Sequence, residues 1–434
     1  MRRRAIRGLY TGTVVLAAAA GLLWTAPGGA VAEEGAERPA RSGGTCVTCH
    51  LELEEPELRE PALGFGQDVH DRDGLGCVAC HGGDPTAEDA DEAMDPARGF
   101  TGSPSVREIP ILCGSCHGDE AFIKKFSPNL PTDQLAQYRT SIHGERVLGG
   151  DAKAATCISC HGVHGILRAN DSRSPVYPTR VVETCARCHA DAELMGSYGI
   201  PADQVEKYRR SVHYEALTRK HDLSAPTCND CHGSHGATPP GVSSISNVCG
   251  ACHLQNAELF RDSPHAPVFR EQEMGACEAC HGNHEILPPD DGWVGVEEGT
   301  VCGGCHEAGD PGGKVAVLLR NALEEAVEVS RRAREEVAGA ERAGMLMEEA
   351  EIALQEAHDE VVKARLAVHA VSVDAVEAHT GVSRKAAARA LELAEAARRE
   401  ITVRRRGLLV ASAFIFLAIV LLILKIRQIE RPGG

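Results

Sequence analysis

The residues able to do chemistry in this chain fall into one short pattern, Cys-x-x-Cys-His, which occurs nine times and takes up all 18 cysteines. Numbered from the N-terminus, sites 1 to 3 are Cys46/Cys49/His50, Cys77/Cys80/His81 and Cys113/Cys116/His117. Sites 4 to 6 are Cys157/Cys160/His161, Cys185/Cys188/His189 and Cys228/Cys231/His232. Sites 7 to 9 are Cys249/Cys252/His253, Cys277/Cys280/His281 and Cys302/Cys305/His306. Two thiols at this spacing can add to the two vinyl groups of one haem, and the adjoining imidazole then ligates the iron. Zinc knuckles, redox dithiols and disulfide scaffolds also use paired cysteines. None of them gives a reason for a histidine after the second cysteine at every site, so the sequence predicts nine covalently bound c-type haems.

A haem that only passes electrons has both axial positions filled, whereas one that binds a substrate keeps a position open. The histidines beyond the nine motifs therefore matter. An internal repeat selects seven of them as distal ligands. Ser141-Ile142-His143 precedes the Cys-x-x-Cys-His-Gly-x-His segment ending at His164 and then site 5. Ser211-Val212-His213 precedes the segment ending at His235 and then site 7, and Ser263-Pro264-His265 precedes the segment ending at His284 and then site 9. A degenerate first unit has Asp68-Val69-His70, then site 2 with Asp84 in place of the extra histidine, then site 3. Tyr138 and Tyr208 each lie five residues before the distal-type histidine. The extra imidazole three residues past a proximal one is expected to reach a neighbouring haem. Site 1 stands ahead of the four units. Two haems remain without a repeat-assigned partner, and His369 is the leading candidate, followed by His221, His358, His379, Met94 and Met195.

The elements that position these residues differ along the chain. Arg2, Arg3, Arg4 and Arg7 precede an apolar run, and Ala30-Val31-Ala32 follows it, which is the layout of a secretory leader over 1–32. The formal net charge is −17, and losing a leader with four arginines and no acid would leave −21. That balance speaks against a nucleic-acid partner. The region 33–313 is predicted to be a nine-haem domain of short helices around each attachment site and long Gly- and Pro-rich loops, each unit too small for a core of its own. With aromatics at only 4%, the porphyrins are expected to supply the apolar area. From Lys314 the composition turns to Ala, Glu, Arg, Leu and Val, with apolar residues stepping by three and four. This predicts a three-helix amphipathic module over 314–403, with helices near 314–338, 342–371 and 374–403. Leu408 to Leu424 is uncharged, so 404–426 reads as a transmembrane helix with a basic flank and 427–434 as a cytoplasmic tail. The fold class is thus mostly α with extensive loops: a multihaem cytochrome c domain, an antiparallel helical module and a C-terminal transmembrane helix.

From Cys46 to about Arg406, the Tyr-x-x-Ser-x-His and Cys-x-x-Cys-His-Gly-x-His repeat and the helical tail with Ala367-Val368-His369 resemble the membrane-anchored multihaem c-type cytochromes of anaerobic respiratory chains. The resemblance implies electron transfer at the periplasmic face of the cytoplasmic membrane, between a quinol-oxidising membrane complex and periplasmic or outer-membrane redox proteins. The C-terminal position of the anchor departs from the four-haem quinol dehydrogenases. The Cys-x-x-Cys-Lys motif of haem nitrite reductases does not occur. The alternative function is a multihaem reductase of a small oxyanion or nitrogen oxide with one five-coordinate haem. The expectation is an electron-transfer protein without catalytic residues.

Overall fold

The structure, a computed structural model, describes residues 43–239 and 245–430. The leader 1–32 and the last four residues of the expected tail lie outside the described residues. Those described are mostly helical, and among them there is no strand. The region up to about residue 310 is a succession of short helices and 3₁₀ turns joined by loops. It begins with helix α1 (Gly44–Glu52) and helix α2 (Pro56–Phe65) and includes helix α3 (Leu254–Arg261). Three long helices follow: α4 (Pro311–Arg342), α5 (Glu348–Ala367) and α6 (Val373–Glu430).

The short helices are specified by their capping residues. Asp68, Ser141 and Ser211 are each the N-cap of a short helix, and each side-chain oxygen accepts from a backbone N–H of the first turn. All three are buried. His70, His143 and His213 therefore each stand two residues past a buried cap. His265 differs slightly, opening its own helix directly after Pro264. Thr156 and Thr227 cap the helices of sites 4 and 6 with reciprocal capping boxes. The repeated tyrosine joins the two: Tyr138 Oη donates to Ala155 O at 2.7 Å and Tyr208 Oη to Pro226 O at 2.8 Å, the residues just before those threonines. Successive units dock backbone to backbone, with Val69 N donating to Ile166 O at 2.8 Å and Val212 N to Ile286 O at 2.9 Å. The region is thus a one-dimensional array in which each unit leans on the next.

The three long helices pack through alanine. Ala333, Ala350, Ala357, Ala387, Ala390 and Ala394 are almost fully buried, and small contact residues let helices approach closely. Ser383 Oγ donates to Ala357 O at 2.8 Å across this interface. The first helix starts three residues earlier than periodicity indicates, because Asp310 caps it, accepting from Gly313 N at 2.7 Å, and it ends four residues later, at Arg342. The first break falls at 343–347, where Gly344 takes φ +86°. The second helix ends at Ala367, and a 3₁₀ turn, Val368–Ala370, carries His369. Val371 then sits at φ 50°, a costly conformation for a β-branched residue.

The core contact of α6 ends at Ala397, yet the helix continues unbroken. Leu409, Phe414, Phe416 and Leu422 beyond it are more than 60% exposed. By length and composition this is the one described helix able to cross a membrane, with a window of mean hydropathy 3.0 that buries nothing.

Candidate haem sites

The first cysteine, the second cysteine and the histidine of a motif lie at i, i+3 and i+4, so one helical turn puts all three on one face. His81 N donates to Cys77 O, His253 N to Cys249 O, His281 N to Cys277 O and His306 N to Cys302 O, all at 2.9–3.0 Å. The glycine after the histidine of sites 2, 4, 6 and 8 turns the chain away at φ +68° to +84°, a region that disfavours side chains.

At sites 7 and 9 the short helix is of the 3₁₀ kind. There the first cysteine lies in a 3₁₀ helix, Ile245–Ala251 or Cys302–Gly304, and the second, Cys252 or Cys305, falls just beyond its end. Cys252 N donates to Cys249 O at 3.2 Å and Cys305 N to Cys302 O at 3.1 Å, the tighter i to i+3 bond of such a turn. Gly250 at site 7, and Gly303 with Gly304 at site 9, stand between the cysteines and weaken an α-helix. Cys252 and Cys305 are exposed, unlike the half-buried first thiols Cys249 and Cys302. Cys49 and Cys80 are exposed too, although their motifs are helical. At these four positions the second cysteine is exposed, and the motif spacing assigns it to haem.

Opposite eight of the nine motif histidines stands a second imidazole. At the even-numbered sites His81 faces His164 at 5.9 Å between ring centroids, His161 faces His235 at 6.1 Å, His232 faces His284 at 5.9 Å and His281 faces His369 at 6.0 Å. At the odd-numbered sites His117 faces His70 at 6.1 Å, His189 faces His143 at 6.1 Å, His253 faces His213 at 6.3 Å and His306 faces His265 at 6.1 Å. A metal–imidazole bond is about 2.0 Å and the ring centroid lies about 1.1 Å behind the nitrogen, so two imidazoles across one metal ion have centroids about 6.2 Å apart. The eight spacings match that figure.

The tautomers also suit ligation. A ring that uses Nδ1 as a donor to a fixed acceptor keeps Nε2 for a metal. His50 Nδ1 meets Leu58 O at 2.9 Å, His81 Nδ1 meets Gly102 O at 2.8 Å and His369 Nδ1 meets Leu366 O at 2.9 Å. His70 Nδ1 meets Asp68 Oδ1 at 2.8 Å, and Asp68 Oδ2 accepts from Ile166 N at 2.8 Å. Burial works to raise the Asp68 pKa, but these hydrogen bonds outweigh it and hold the carboxyl below its ordinary range. Burial also lowers the pKa of His117, His143, His161, His189, His213 and His281, favouring the neutral imidazole that a metal requires.

None of the 18 cysteines is paired in a disulfide. Among the described residues no group of three or more His, Cys, Asp or Glu converges to hold a metal ion, as a zinc knuckle demands. Paired imidazoles beside paired thiols, separated by the span of one axially ligated iron, fit haem and not zinc.

The thiols also show how the sites follow one another. The first cysteines of consecutive sites lie close enough in pairs to perturb one another's thiols: Cys46 and Cys77, Cys113 and Cys157, Cys185 and Cys228, and Cys249 and Cys277. Burial pushes the thiols of Cys80, Cys160, Cys231 and Cys280 up, and charges on the next site push the same way. Those charges are Cys116 on Cys80, Cys188 on Cys160, Cys249 and Cys252 on Cys231, and Cys302 and Cys305 on Cys280. Each site therefore lies close to the one before and the one after it in the sequence.

The extra imidazoles of the repeat each face a motif other than their own. His164, His235 and His284 face sites 2, 4 and 6, two motifs back, because the chain turns at the left-handed glycine and returns to the preceding unit. His164 itself adopts φ 54°. Site 8 has no later unit to serve it, and His369 takes that place from the helical module. Asn256 on α3 stands 3.3 and 3.5 Å from the two ring nitrogens of His369. Arg365 pairs with Asp291 through two hydrogen bonds of 2.7–2.8 Å. Asp310 ties the module to site 9, meeting His306 Nδ1 at 3.2 Å while capping α4. A Cβ at Gly312 would run into the His306 ring, so only glycine admits that ring against α4. The Asp310 and Gly312 contacts had no counterpart in the sequence pattern. His221 is exposed at φ 55°, His358 is exposed on α5, and His379 Nδ1 meets Glu360 Oε2 at 2.8 Å. Met195 is buried and Met94 is exposed.

Residues 69–190 and 219–307 match the family described as cytochrome c3. The two segments run from just before His70 to just after His306 and take in sites 2 to 9. No curated protein and no solved structure matches the chain. The match implies covalently bound c-type haems and agrees with the imidazole geometry reached independently. Sites 2 to 9 are thus similar to the cytochrome c3 family, a likeness that supports a multihaem c-type cytochrome.

Proposed function

We propose that this protein holds nine c-type haems in sequence order and passes electrons along them at the outer face of a cytoplasmic membrane. The observation that carries the reading is the set of eight imidazole pairs at 5.9–6.3 Å. The iron of each bound haem would supply the one-electron couple. The chain's own residues do the rest. Paired histidines fill both axial positions and keep substrate out, carbonyls and Asp68 fix the ring tautomers, and the thiols place each haem edge beside the next.

The apolar end of α6 anchors this array in the bilayer. Along α6, about 35 residues separate the His369 turn from Leu408, a distance of about 53 Å at the rise of an α-helix. A stalk of that length holds the module's haem-facing end away from lipid, so electrons are exchanged through a quinol-oxidising membrane partner and not by direct contact with quinol. At the other end, periplasmic or outer-membrane redox proteins exchange electrons with the array. The test is haem stoichiometry by mass spectrometry combined with low-temperature magnetic circular dichroism of the purified chain. Nine haems, at least eight of them low-spin with two nitrogen ligands, support the proposal. Several high-spin haems would overturn it.

A further inference from the structure

Site 1 differs from every other site. Its proximal imidazole is built like the others, with His50 Nδ1 held by Leu58 O at 2.9 Å. Yet among the described residues no ring contact pairs His50 with a second imidazole, whereas all eight other motif histidines have one. The ledger closes, because all 20 histidines of the sequence fall within the described residues. Nine belong to the motifs, eight face them, and the three left are His221, His358 and His379. His379 is engaged by Glu360, and the other two are exposed in the loop after residue 219 and on α5.

The repeat explains why. Odd-numbered sites 3, 5, 7 and 9 draw their second imidazole from a short helix 40 to 47 residues upstream, at His70, His143, His213 and His265. The same interval before His50 reaches residues 3–10, Arg-Arg-Ala-Ile-Arg-Gly-Leu-Tyr, which contain no histidine. Site 1 is an odd-type site without the upstream histidine that serves the others.

We propose that site 1, resting on the nine-haem reading above, is a ligand-binding haem site that takes a small neutral molecule such as nitric oxide, carbon monoxide or hydroxylamine. The charge around it sets the class. Glu52 ends α1 and Glu54, Glu55, Glu57 and Glu60 lie before and on α2, with Arg59 the one basic side chain among residues 51–65 of the sequence, and all six are exposed. An acidic stretch that directly follows the proximal histidine in sequence disfavours nitrite and other anions but not neutral ligands. This separates the site from the oxyanion-reductase alternative, which needs a basic pocket.

The experiment uses the full-length holoprotein in detergent. Reduced protein titrated with carbon monoxide binds one equivalent per chain, and the oxidised protein shows one high-spin ferric haem that millimolar nitrite leaves unchanged. Replacing both thiols, Cys46→Ala with Cys49→Ala, abolishes the high-spin signal and carbon monoxide binding together. Nine haems by mass and no carbon monoxide bound by the unmodified protein would overturn the inference while leaving the nine-haem reading intact. So would a methionine–iron charge-transfer band at site 1, a bis-imidazole ligand from a second copy, or nitrite binding tighter than neutral ligands. Fewer than nine haems would instead refute the reading on which it rests.

Discussion

Replacing His369 by alanine isolates the point at which the helical module meets the haem array. The His369 ring lies 6.0 Å from that of His281 with an interplanar angle of 18°, and its Nδ1 is fixed by Leu366 O at 2.9 Å. Removing it takes the sixth ligand from one haem out of nine and leaves the other axial pairs untouched. The module stays docked, because Val294 of the haem region packs into the Leu319, Leu323 and Val376 cluster, and the Arg365–Asp291 pair remains. That exposed pair adds only about 0.2–1 kcal/mol, so Arg365→Ala should leave the spin states as they are. Spin-quantified electron paramagnetic resonance should show His369→Ala raising the high-spin count by one haem per chain. His369→Met should keep that haem low-spin and raise its potential. An unchanged high-spin count in His369→Ala, or a gain of two or more, would refute the assignment of His369 to site 8 alone.

Other substitutions probe the array and its support. His164→Ala should convert the haem of Cys77 and Cys80 to high-spin while site 4, in whose motif it lies, stays low-spin; site-resolved spectra with the second motif deleted distinguish the two. Asp310→Ala removes a helix N-cap and the support of His306, and should lower the denaturation midpoint by an amount matching about 0.5–2 kcal/mol. Ala357→Leu overpacks the alanine interface and should cost about 1–3 kcal/mol with no change in the haem spectrum. Truncation after residue 403 should give a chain that stays in solution without detergent and keeps its spectrum.

Much of this arrangement is legible in the sequence because the chemistry is covalent and local. The Cys-x-x-Cys-His spacing needs only one helical turn to act, and the capping Asp68, Ser141 and Ser211 announce where His70, His143 and His213 sit. The helical character of the tail follows from its three-and-four periodicity. Less legible are features set by how units stack. That His164, His235 and His284 reach back two motifs depends on the left-handed glycine after each proximal histidine and on backbone bonds such as Val69 to Ile166. The 3₁₀ turns that carry Cys249 and Cys302 are not distinguished by the shared motif spacing from α-helical ones. The role of Asp310 in serving both a helix cap and His306 depends on a packing angle that no periodicity encodes. The unmatched imidazole of site 1 emerges only when every other one has been given its partner.

The number and kind of axial ligands decide most directly whether this chain is an electron-carrying haem array. Low-temperature magnetic circular dichroism on the purified full-length chain, normalised to haem content, measures both at once. The prediction is nine haems, eight low-spin with bis-imidazole ligation and one high-spin. Fewer than eight bis-imidazole haems, or a pattern dominated by high-spin iron, would contradict it.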